Sequence, residues 1–102
     1  MNTQLVNEQH NASLEVQRHV CVLDDMGLHA RPAARLAQEA QKFASDIHLV
    51  AGRQEVDAKS ILDILTLAVG SGATLTLRAR GEDAREAVDH LERLFRNKFQ
   101  DG

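Results

Sequence analysis

Apolar and polar residues recur along the chain with two different periods, and each change of period marks a new element. From Val16 to Leu23 the pattern alternates, with Val16, Arg18, Val20 and Val22 in one register. Its β-branched residues favour a pleated strand. Ala33, Leu36, Ala37, Ala40, Phe43 and Ala44 then fall at three- and four-residue steps, which predicts a helix from roughly Ala30 to Phe43. The remaining face of that helix, Arg35, Gln38, Glu39 and Lys42, is polar. After Ser45 and Asp46, the stretches Ile47 to Ala51 and Gln54 to Asp57 flank Gly52 and Arg53, the pattern of a hairpin. Ser60 and Asp63 stand in the Ser-x-x-acid arrangement that satisfies orphan amides at a helix start. They predict a short helix from Ile61 to Ala68, closed by Gly70, Ser71 and Gly72. Thr74 to Arg80 alternates again, as a strand does when one sheet face meets a core. Past Gly81, Asp83 and Glu86 repeat the capping arrangement, and Ala84, Ala87, Val88, Leu91, Leu94 and Phe95 form a helical stripe ending near Asn97.

The order strand, helix, strand, strand, helix, strand, helix predicts an α+β fold. Its expected form is a two-layer open-faced sandwich (βαββαβα), with a four-stranded, mostly antiparallel sheet covered on one face by three helices. Residues 1–15 have the polar composition of a flexible tail, and residues 16–102 are expected to form one domain. A chain of 102 residues supports a single modest core.

Composition narrows the function more by exclusion. No apolar run approaches the ~20 residues of a membrane helix, so no membrane insertion is expected. Met1 to Glu15 lacks the basic start and apolar block of a secretory signal, which leaves the cytoplasm as the expected location. A net charge of −3 and only three aromatic residues, all Phe, give nucleic acid neither a basic patch nor a stacking platform. The five histidines have no paired spacing with Cys, Asp or Glu that would build a zinc site, so neither metal nor cofactor is expected. Cys21, the single cysteine, has no internal disulfide partner, and its alternating apolar surroundings suggest a packed thiol.

Chemistry concentrates in Gly27-Leu28-His29-Ala30-Arg31-Pro32-Ala33-Ala34, between the first strand and the first helix. His29 falls at or near the helix N-cap, where the first amides lack internal partners and carry the positive end of the helix dipole. Such a place attracts anions and disfavours the protonated ring, keeping a nitrogen available for attack. Arg31 supplies a guanidinium able to grip phosphoryl oxygens bidentately, and the amides of Ala30 and Arg31 add donors. Pro32 fits in the first turn, where its missing N–H removes no helical bond. Phosphoryl transfer depends mainly on positioning and charge stabilisation, so these groups suffice when a partner supplies the rest. A hydrolase is the weaker reading, because beyond His29 this segment holds no carboxylate or second histidine to position water.

The Gly-Leu-His-Ala-Arg-Pro-Ala string closely resembles the signature of the HPr family, the histidine-containing phosphocarriers of the bacterial phosphoenolpyruvate-dependent phosphotransferase system. Ala58-Lys59-Ser60-Ile61-Leu62 is similar to the family's second signature, and Gly81 to Leu94 resembles its final helix, so the likeness spans about residues 16–97. The resemblance implies that His29 accepts phosphate on Nδ1 from phosphorylated Enzyme I and passes it to an EIIA-type domain, with Arg31 steering the phosphate. It also implies a docking surface at Ala30, Ala34, Ile61, Leu62 and Leu65. Ser60 matches a serine that in some bacteria is phosphorylated by HPr kinase/phosphorylase, although it already serves as an N-cap; a monomer is expected. The resemblance is divided as to branch. Lys59-Ser60 looks like the sugar branch, the ending Leu94 to Phe99 looks like the nitrogen-related branch, and Met26 and Asp63 depart from many relatives. A regulatory adaptor acting through Ser60 and the adjoining apolar patch is the alternative of a different class.

Overall fold

The computed structural model describes residues 15–100. Four strands, β1 (Glu15–Cys21), β2 (Asp46–Ala51), β3 (Gln54–Asp57) and β4 (Thr74–Arg80), alternate with α1 (Ala30–Ala40), α2 (Ile61–Thr66) and α3 (Ala84–Arg96) in the order βαββαβα. The expected α+β open-faced sandwich is what forms. The sheet order is β1-β4-β2-β3, and every neighbouring pair is antiparallel. Glu15, expected in the tail, opens β1 opposite Arg80; the rest of the expected tail lies outside the described residues.

Alternation sorts the strands between core and solvent. Leu75, Leu77 and Ala79 of β4, with Ile47 and Leu49 of β2 and Val20 of β1, point into the core, where Leu36, Val88, Leu91, Leu94 and Phe95 of the helices meet them. α3 lies across β1 and β4, and α1 touches both α2 and α3.

Three local expectations are corrected. Cys21 is exposed rather than packed, because the two-residue period places it with Glu15, Gln17 and His19 on the outer face of the sheet. Glu39, expected on the polar face of α1, is buried at 7% exposure and accepts hydrogen bonds from His90 and Lys42. Asp83 occupies the N-cap of α3 without capping it through its side chain. Its carboxylate instead accepts from the Ser45 hydroxyl and from the amides of Ala44 and Ser45, both at 2.9 Å.

Candidate functional site

The loop before α1 is fixed by backbone geometry. Gly27 has φ 76°, and a Cβ built there would lie 2.5 Å from the Val69 carbonyl oxygen and 2.9 Å from Gly70 Cα. No larger residue fits. The next amide, Leu28 N–H, donates to that same Val69 carbonyl at 3.0 Å, and the Leu28 side chain is buried. This joins the loop entering α1 to the loop leaving α2. On the other side, Gly27 N–H donates to the Asp24 carbonyl at 3.0 Å and Met26 N–H to Asp24 Oδ1 at 3.0 Å, closing a tight turn.

His29 is the N-cap of α1, in extended geometry with φ −86° and ψ −170°. Its carbonyl accepts the first helical bond, from Ala33 N–H at 3.0 Å, but its side chain makes no cap hydrogen bond. The ring is therefore free of structural duty. It is 34% exposed, and its Nε2 lies 3.5 Å from Asp24 Oδ1, an ion pair whenever the ring is protonated. Nδ1 makes no hydrogen bond or ion pair among the described residues. The amides of Ala30 and Arg31 have no acceptor among the described residues, and neither has the Arg31 guanidinium an ion-pair or hydrogen-bond partner there. Pro32 is buried in the first turn.

These groups line an open depression of about 870 Å³ together with Arg35 of α1 and Lys98, Phe99 and Gln100 beyond α3. Lys98 and Phe99 adopt left-handed backbone, φ 56° and 58°, which turns the chain back toward α1. Phe99 N–H donates to the Leu94 carbonyl at 2.8 Å, and the Phe99 ring packs against Phe95 with centroids 4.9 Å apart. His29 and Arg31 line this depression, and with the first α1 amides next to them in the chain, none of which has an acceptor among the described residues, they can receive a phosphoryl group and hold its charge.

Sequence reasoning found His29, Arg31 and the two amides, and the structure brings them together. It missed Asp24 and the returning 98–100 segment. The Asp24-Asp25 pair carried no signal to say which carboxylate turns inward, since that depends on the packing of Gly27 against Val69.

The second predicted centre is separate. Ser60 caps α2 with φ −114° and ψ 113°, its hydroxyl accepting from Asp63 N–H at 3.2 Å. On the same short helix Leu62 is 73% exposed and Leu65 37%, while Ile61 is partly buried. Ala30 is exposed on α1, Ala34 is half-buried, and Met26 beside them is 74% exposed. Among the described residues no group of three or more His, Cys, Asp or Glu side chains is arranged to hold a metal, and no helix is long and apolar enough to cross a membrane.

Comparison with known proteins agrees with this geometry. The family model for the PTS HPr component phosphorylation site matches residues 16–97. The phosphocarrier protein HPr of Cupriavidus necator is 41% identical over 87 residues, covering 85% of this chain and 98% of that protein. The HPr-like protein Crh of Bacillus subtilis is 47% identical over 76 residues, covering 74% and 89%. Among solved structures, HPr-C-His from Thermoanaerobacter tengcongensis superposes with a TM-score of 0.81 at 38% identity, covering 85% of this chain and 98% of that one. With fold, element order and a match across nearly all the described residues in agreement, the chain belongs to the HPr family of phosphocarrier proteins of the phosphotransferase system.

Proposed function

We propose that the chain accepts a phosphoryl group on Nδ1 of His29 from phosphorylated Enzyme I and delivers it to EIIA-type domains of the sugar phosphotransferase system. The observation that carries this reading is the His29 ring at the mouth of α1, unused as a cap, next to Ala30 and Arg31 amides and an Arg31 guanidinium that have no partner among the described residues. Attack by the ring nitrogen on phosphorus forms one P–N bond as the donor's P–N bond breaks, and the bonding electron pair returns to the donor nitrogen. Arg31 and the amides hold the phosphoryl oxygens throughout.

Partners dock on the apolar surface of Ala30, Ala34, Ile61, Leu62 and Leu65, flanked by Met26. Exposed leucines on α2, a short helix in contact with α1, suit a shallow contact that forms and releases quickly. Ser60 is a second, regulatory phosphorylation site for an HPr kinase/phosphorylase. A dianion there would sit on the amides of α2 but close to Asp63, opposing an acidic partner. The carrier works as a monomer in the cytoplasm.

The test is incubation with phosphoenolpyruvate and Enzyme I. One acid-labile phosphate is expected per chain, and none on His29→Ala. A wild-type protein that takes no label from any cognate Enzyme I would overturn the carrier reading. Onward transfer to a nitrogen-branch EIIA, with none to sugar-branch EIIA domains, would reassign the branch while leaving the chemistry intact.

A further inference from the structure

We infer that Asp24 is a positioning residue for His29, holding a proton on Nε2 so that Nδ1 alone presents its lone pair and the phosphorylated ring later leaves as neutral imidazole. The inference rests on His29 being the phosphoryl acceptor.

Asp24 is oriented before it meets the ring. Its Oδ1 accepts from Met26 N–H at 3.0 Å and its carbonyl accepts from Gly27 N–H at 3.0 Å. Gly27 in turn has no freedom to shift, because it is tucked under Val69 and Gly70. The carboxylate is thus held by backbone, and it places Oδ1 3.5 Å from Nε2. At that distance the contact is longer than an ordinary N–H···O bond, and it tightens as the ring gains positive charge. With the Asp24 side chain 26% exposed, its charge is only partly screened.

The chemistry follows the proton. A neutral imidazole carries one N–H, and a carboxylate facing Nε2 favours the tautomer with the proton there, as an aspartate does for a triad histidine. As Nδ1 bonds to phosphorus, the ring becomes cationic and the donor's P–N bond breaks. When the next acceptor attacks phosphorus, the ring must take back the electron pair of its own P–N bond. A ring still protonated at Nε2 leaves as neutral imidazole, whereas a deprotonated one would have to leave as an anion. Because the in-plane bond directions of Nδ1 and Nε2 diverge, a carboxylate on Nε2 supports the charge without facing a phosphate on Nδ1 directly. The other charged groups lining the depression, Arg31, Arg35 and Lys98, are all cations, so Asp24 is the carboxylate among its lining residues.

The experiment compares wild type, Asp24→Asn and Asp24→Glu, each phosphorylated through Enzyme I. Asparagine retains an oxygen for the Met26 amide, so the turn survives, and thermal midpoints verify it. ¹⁵N NMR of the unphosphorylated ring should show the Nε2–H tautomer dominant in wild type and depleted in Asp24→Asn. ³¹P titration of the phosphorylated forms should show the Nε2 proton lost at lower pH in Asp24→Asn. Onward transfer above that pH should slow on the order of fivefold, the scale of one partly exposed charge pair, with Asp24→Glu recovering part of it. If Asp24→Asn shows the wild-type tautomer, titration and transfer rate, the inference is wrong while the carrier reading stands. Failure of the wild type to label at His29 would remove both.

Discussion

Arg31 carries the charge balance of the site. It is exposed, and its guanidinium is uncommitted among the described residues, so removing it costs the fold little; surface substitutions of this kind stay within about 0.5 kcal/mol. A charge-assisted contact to phosphate is worth about 1.5–3 kcal/mol, or roughly 10- to 100-fold in rate. Arg31→Ala should therefore slow labelling of His29 by at least about tenfold with an unchanged thermal midpoint. Arg31→Lys should recover only part, since a point charge replaces a planar fork. Stopped-flow transfer from Enzyme I measures both. At this scale, what could be read from sequence followed distance along the chain. His29, Arg31 and the Ala30 amide lie within one turn of a helix start, so local rules placed them. Asp24 is only five residues away, yet its position depends on a glycine packed against a loop more than forty residues on.

Elements were legible where local pattern and tertiary demand agree. Thr74–Arg80 occupies its expected span because alternation defines it, and Gln54–Asp57 does so because the Gly52-Arg53 turn sets where it begins. α1 stops at Ala40 rather than Phe43, since Lys42 N–H and Phe43 N–H turn to the Glu39 and Ala40 carbonyls, both at 3.2 Å, a tightening of the last turn that periodicity does not reveal. Two caps of the same sequence pattern diverged. Ser60 accepts from Asp63 N–H as expected, while Asp83 was captured by Ser45 and Ala44, partners no local rule could supply. Ser60 thus combines a structural role with its proposed regulatory one, and the two can be separated. Ser60→Ala should lower stability by about 1 kcal/mol in urea titrations through the lost cap. It should still accept phosphate at His29 from Enzyme I, and it should take no acid-stable phosphate from ATP and a cognate HPr kinase. A wild-type chain equally refractory to the kinase would leave Ser60 as a cap alone.

At the scale of the whole molecule, the layered architecture was legible but the polar ties across it were not, because each joins residues distant in sequence. Arg18 lies in the inward register of β1 and reaches Asp89 at 2.9 Å and Glu92 at 2.7 Å on α3. Glu39 of α1 accepts from His90 Nε2 of α3 at 2.7 Å, and the His90 ring lies 5.6 Å from that of Phe43. Asp83 ties the start of α3 to the approach of β2. These ties make stability depend on pH in a definite direction. The hydrogen bond from His90, with Lys42 and Arg35 nearby, holds Glu39 below the usual carboxylate range despite its burial. The Ser45 hydroxyl, then the Ala44 amide, hold Asp83 below it as well. A carboxylate whose folded value is depressed binds fewer protons folded than unfolded, so its stabilisation is complete above the unfolded value of about 4 and fades as pH falls through the lower folded value. Urea midpoints should accordingly be level near neutrality and drop steeply below about pH 4. Glu39→Gln and Asp83→Asn should both be less stable than wild type at pH 7, and the gap should close in acid, where the wild-type carboxylates are themselves protonated. Parallel curves for wild type and both variants across that range would show that these ties do not couple the layers through charge.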